Sequence, residues 1–165
     1  MLLKLFVFLV TFLFLSQISL AAEEYWEQGL TLPSKTIKPP VGLPSVFDKD
    51  SKGSGTDTQS VKLAVKGADD LAVLVMTGAQ NQPLKIFKQA GRRYLPILDD
   101  IAVAWYPIAE VVNGRHSIVL QQHGSAAESE YRIYRFNGKK YALFKEFNVI
   151  YSDDTHRRIK AVPVK

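Results

Sequence analysis

The chain reads as an all-β protein: two repeated four-stranded antiparallel meanders packed as a compact sandwich. Three observations predict this. From Val61 onward apolar residues alternate with polar ones, the period of a half-buried strand. Turn glycines recur between branched and aromatic runs. The chain also partly matches itself at an offset of 47 residues.

Met1–Ala21 precedes that domain. It has a short start with Lys4, an apolar run from Leu5 to Leu15, and small residues at Ser19 and Ala21. This is the pattern of a secretory signal peptide cut after Ala21. The run is shorter than the roughly 20 apolar residues a membrane span needs. No later segment is apolar enough to span, so no transmembrane segment is expected after cleavage, which leaves 144 of the 165 residues. That length supports one domain with its own core. Export implies a periplasmic or secreted protein. There is no cysteine and no Asn-x-Ser/Thr sequon, which favours a bacterial origin and excludes disulfides and thiol chemistry.

Residues 22–60 read as an extended or disordered arm. Pro33, Pro39, Pro40 and Pro44 favour extended chain. Asp48–Ser60 has the composition of a flexible linker. Tyr25 and Trp26 are the exceptions in the arm, free to dock on the domain or on a partner, with the domain the default expectation. The β domain then occupies 61–165. Val61, Leu63 and Val65 alternate with polar or small neighbours, and Leu71–Met76 is a continuous apolar run. Arg132–Phe136 and Tyr141–Phe144 flank Asn137-Gly138, a hairpin signal. About nine strands and little helix are expected, with Pro96, Pro107 and Pro163 at ends, edges or bulges.

The internal match aligns Lys85–Tyr94 with Arg132–Tyr141. Ile86, Gly91 and Tyr94 fall on Ile133, Gly138 and Tyr141, and basic residues fall on basic at four more places. The same offset carries Leu71 onto Ile118. The two units predicted are 61–97 and 108–144. Strands are expected near 61–66, 71–76, 84–88 and 92–97, then near 108–112, 117–121, 131–136 and 140–146. Neither unit buries its apolar face alone, so the two share a core.

Asp70-Leu71-Ala72-Val73 and Asn113–Val119 give each unit a polar loop leading into an apolar strand. In this each unit resembles a degenerate FG-GAP or VCBS-type repeat, the unit of integrin-like β-propellers. The resemblance implies a partial propeller-like unit, and in that family the loops hold calcium through several oxygen ligands. Here 66–70 offers two carboxylates and 113–117 none, so no cofactor is expected. Two units are too few to close a propeller, so two-sheet packing or a dimer is the expected outcome.

No catalytic constellation stands out. Paired acids at Asp69-Asp70 and Asp99-Asp100 point to opposite faces if they lie in strands. His116 and His123 lie about 23 Å apart along one strand at about 3.3 Å per residue, too far to share a metal. His156 sits in a turn-like stretch with Asp153 and Asp154, where solvated polar residues are the default. His123-Gly124-Ser125 invites an alternative reading as a small envelope hydrolase, using His123 with Ser125 or a nearby carboxylate. The Gly-x-Ser-x-Gly elbow is absent, however. The formal charge of +5 is modest and does not point to nucleic acid. The residues of interest are basic and aromatic ones around the turn glycines: Arg92, Arg93, Tyr94, Arg132, Arg135, Lys139, Lys140 and Tyr141. Together they form a candidate patch for an anionic envelope polymer or an acidic protein. The expected function is binding, without catalysis.

Overall fold

The computed structural model describes residues 29–40, 43, 55–151 and, as backbone, 158–163. The segment read as a signal peptide, Tyr25, Trp26 and the stretch Asp153–His156 lie outside the described residues. The described chain is all-β, with ten strands in two antiparallel sheets. Sheet I runs in chain order: β1 (Ser34–Thr36), β2 (Gly55–Val61), β3 (Asp70–Met76), β4 (Gln82–Ala90) and β5 (Arg93–Ala102). Sheet II does likewise: β6 (Ala104–Val112), β7 (Arg115–Ser125), β8 (Glu128–Phe136), β9 (Tyr141–Tyr151) and β10 (Arg158–Pro163). A single residue, Val103, connects the sheets, and its N–H donates to Gln121 O at 2.8 Å.

The sheets agree pair for pair at the 47-residue offset. Ser60 opposite Leu71 corresponds to Pro107 opposite Ile118. Leu71 opposite Phe87 corresponds to Ile118 opposite Tyr134. Gln89 opposite Tyr94 corresponds to Phe136 opposite Tyr141. Even the register break recurs, between Ile86 and Phe87 in one sheet and between Ile133 and Tyr134 in the other. A bulge specifies twist and register, so sharing it means sharing local backbone shape.

The predicted bounds need correction. The equivalent strands span 55–102 and 104–151, longer than 61–97 and 108–144. Gly55–Ser60, read as linker, forms most of β2, and the strand expected over 61–66 ends at Val61. Polar composition concealed β2. Its pairing with β3 and the burial of the β-branched Thr58 make it a strand. Asn137-Gly138 does close a hairpin, but through a four-residue loop. Asn137 Oδ1 accepts from the N–H groups of Lys139 and Lys140, and only Gly138 takes positive φ. The two-residue turn with both centres at positive φ is Asn113-Gly114 (49° and 77°). Pro96 sits at the bulge in edge strand β5, and Pro107 at the register break in edge strand β6. Pro163 ends β10.

Each sheet is apolar on both faces, giving three clusters. The central one joins the sheets: Val61, Ala72, Leu84, Ile86, Ile97 and Leu98 of sheet I meet Ile118, Leu120, Tyr134, Phe136 and Tyr141 of sheet II. The other face of sheet I holds Leu71, Val73, Val75 and Phe87, with Ile37 and Leu43 of the arm against them. The other face of sheet II holds Ile108, Val119, Tyr131, Ile133, Phe147 and Val149. Ile86 faces the junction, while its counterpart Ile133 lies on the far side of sheet II. Phe87 and Tyr134 are exchanged in the opposite sense. The sheets are therefore stacked head to tail, front of one on back of the next, and not as mirror-like halves.

Candidate functional site

Antiparallel pairing brings the 62–69 loop to the same end of sheet I as the Gly91-Arg92 turn, and Asn113-Gly114 to the same end of sheet II as the 137–140 loop. Direct contacts join these two ends into one corner. Val65 N–H donates to Gly114 O at 3.0 Å and His116 N–H to Leu63 O at 2.9 Å. Within sheet II, Asn113 Nδ2 ties the β6–β7 turn to the end of β8 by donating to Phe136 O at 2.8 Å. Lys88 Nζ stands 5.8 Å from the centre of the Phe136 ring.

A buried ion pair anchors the corner. Asp70 is fully buried and accepts from the Arg115 guanidinium, which also lies 4.9 Å over Phe136. Burial pushes the Asp70 carboxyl up to about 6 against the opposing pull of Arg115. Tyr141 donates its hydroxyl to His116 O at 2.8 Å, and burial, with the Asp70 charge, raises its pKa.

Above this anchor the surface is cationic. Lys66, Arg92, Arg93, Lys139 and Lys140 are exposed, and Lys62 and Lys88 are half-buried. Asp69 is the nearby exposed acid, 3.6 Å from Lys62. Two shallow clefts open here. One of about 410 Å³ is lined by Ala64, Val65, Lys66, Val111, Asn113, Gly114 and Arg115. The other, of about 230 Å³, is lined by residues 96–99 with Tyr134, Lys140 and Tyr141.

The eight residues singled out in the sequence do not share one surface. Arg92 and Arg93 lie at the β4–β5 turn and Lys139 and Lys140 in the β8–β9 loop, at matching ends of the two sheets. Tyr141 is buried in the junction core, and Tyr94 packs on the far face of sheet I. Arg132 lies between the sheets, with Nε 2.6 Å from both Glu130 and Glu146 and Nη1 3.2 Å from Asp100. Arg135 is paired with Glu110 and stacked on Phe144. Burial raises the Glu110 carboxyl, but hydrogen bonds from Arg135 and Ser117 outweigh it and hold the group below its usual range. Both arginines lie within β8 and not in a turn: Arg132 is taken up by acids on β5, β8 and β9, and Arg135, near the strand's end, by Glu110 of β6. Lys62, Lys66 and Lys88 were missed. Lys66-Gly67 lies at the internal-match position of Asn113-Gly114, which was the available signal.

Asp69, the last residue of the 62–69 loop, is exposed, while Asp70, the first of β3, is buried. Asp99 pairs with Lys85 at 2.8 Å, while Asp100 turns to Arg132 and the Tyr134 hydroxyl. Desolvation and Asp100 raise the Tyr134 pKa. His123 and Ser125 sit in β7 at a register break, with His123 N–H held by Asn81 Oδ1 at 2.7 Å. No hydrogen bond joins the His123 and Ser125 side chains among the described residues. Also among the described residues, no three His, Cys, Asp or Glu cluster as a metal site, and no helix is long and apolar enough to cross a membrane. The arrangement is suited to attracting and hydrogen-bonding anions. No family model, curated protein or solved structure matches the chain.

Proposed function

We propose that this is an exported, non-enzymatic binding protein of the bacterial envelope, taking an anionic polymer at its cationic corner. The observation carrying the reading is that loops and turns at matching ends of both sheets carry five exposed cations, Lys66 and Lys140 each lining a cleft, while Arg132 and Arg135 are neutralised within the fold. Exposed cations on loops held by a rigid scaffold suit a repeating anion and give salt-sensitive binding. The shared register and the shared bulge support an internal duplication, and the resemblance to FG-GAP or VCBS-type repeats rests on the sequences 70–73 and 113–119. The signal-like start supports export.

The test is retention of the purified protein on an immobilised anionic polysaccharide at low ionic strength. Charge reversal at Arg92, Arg93, Lys139 and Lys140 should leave the circular dichroism spectrum unchanged and abolish retention. Equal retention of the variant would overturn the proposal.

A further inference from the structure

The larger cleft is apolar where its surroundings are cationic. Val65 and Val111 line it and are 53 % and 46 % exposed, with Ala64 and the Asn113-Gly114 turn beside them. Lys66 lines the same cleft. We propose that this cleft is the subsite for an acetamido group, so that the anionic polymer taken at the corner is a glycan with N-acetylated sugar units. The inference rests on the polymer reading for its anion and adds the uncharged part of the repeating unit.

The polar groups of the lining are mostly engaged within the fold. Val65 N–H donates to Gly114 O at 3.0 Å, and Ala64 and Arg115 pair in an antiparallel bridge between the sheets. The Arg115 guanidinium is turned to Asp70. Asn113 donates through Nδ2 to Phe136 O, which leaves its Oδ1 as an acceptor. Asp69, the nearby exposed acid, pairs with Lys62 and leaves Lys66 without an ion-pair partner among the described residues. What remains for a ligand is chiefly two valine side chains, one amide oxygen and one ammonium.

Those groups match an N-acetylated sugar next to an acid. The methyl of the acetamido group packs on Val65 and Val111, its N–H donates to Asn113 Oδ1, and a carboxylate or phosphate on the neighbouring unit pairs with Lys66. A plain polyuronate supplies the anion and nothing for the valines. At about 410 Å³ the cleft lies toward the small end of ligand sites, which run from about 300 to 1,000 Å³, and that suits a sugar unit with its substituent.

Tri-N-acetylchitotriose and cellotriose test this, because they share a neutral backbone and differ in acetamido against hydroxyl on each ring. Titrated into the purified protein and followed by NMR, the first should shift the amide signals of residues 64–66 and 111–115, and the second should not. Val65→Ser combined with Val111→Ser changes two half-exposed side chains, so the fold should persist, which circular dichroism checks. A buried methyl is worth about fourfold in affinity, so the double variant should bind tri-N-acetylchitotriose and hyaluronan, an N-acetylated polyanion, roughly tenfold more weakly. Its retention on polygalacturonate, which has carboxylates but no acetamido groups, should equal that of wild type. Equal shifts with both trisaccharides, or none with either, would overturn the acetamido subsite. So would full affinity of the double variant for hyaluronan. Failure of wild type to be retained on either polymer, with the tri-N-acetylchitotriose shifts intact, would instead sink the polymer reading and uphold the subsite.

Discussion

Ile86 and Ile133 occupy the same place in their sheets, with the same neighbours in register and the same bulge one step later. One lies in the seam between the sheets and the other on an outer face. The two sheets are alike in backbone and unlike in surroundings, and the side chains that differ follow the surroundings. Acid and base appear where a neighbour supplies the opposite charge, as at Asp70–Arg115 and Asp100–Arg132. Hydroxyl and phenyl groups appear at the matching outer positions, Ser117 and Phe147. Backbone pattern is thus set within a sheet, and polarity is set by what lies across from it.

The comparison is most exposed at the buried ion pair. Arg115→Met should destabilise the fold by about 3–5 kcal/mol near neutral pH, because it leaves the Asp70 carboxylate buried without its cation. Urea denaturation would show it. A loss under about 1 kcal/mol would mean that Arg115 is not what makes the seam tolerate a charge. The sign with pH follows from burial, which raises the Asp70 carboxyl to about 6 from its ordinary 3.8. Between those values the folded state keeps a proton that the unfolded state releases. The contribution of Asp70 to stability therefore falls as pH rises through this window and levels off above it. The melting temperature of wild type minus that of Asp70→Asn should decline from pH 4 to pH 6. A flat difference would remove Asp70 from the account.

The matched turns sharpen the comparison at smaller scale. Gly91 has φ of 62° and its counterpart Gly138 has 97°. The first lies in the left-handed region that L-residues enter at about 1–2 kcal/mol, and the second lies beyond it. Gly138→Ala should therefore cost more than Gly91→Ala in thermal melts, and the reverse order would contradict the turn geometry. The smallest effect belongs to the repeated cross-strand pair. Asp99 is 63 % exposed against 25 % for Glu146. Asp99→Asn should change stability by at most about 1 kcal/mol, and by less than Glu146→Gln.

Much of this was legible in the sequence. The continuous apolar run Leu71–Met76 and the runs flanking Asn137-Gly138 marked strands, and matched glycines and tyrosines marked the repeat. What was hidden depended on partners distant in sequence. β2 is polar enough to pass for linker because β3 supplies its ladder and the core takes only Thr58 and Val61. The pairs of Arg132 with Asp100 and Glu146 were invisible because those partners lie on β5 and β9. The cationic corner was half visible. Arg92, Arg93, Lys139 and Lys140 belong to local turns, whereas Lys66 joins them only once the Leu63–Val65 loop is tied to β7.

The single-residue link at Val103 bears on how the chain is made. Among the described residues, the named strands pair only with their neighbours in sequence, so each sheet assembles from local hairpins, the kind of contact that forms early. The amino-terminal sheet is fully synthesised before the other exists. Until translation passes Tyr141, the surface bearing Leu84, Ile86 and Ile97 has nothing to dock on. That interval is when a nascent chain of this kind would need a holding chaperone.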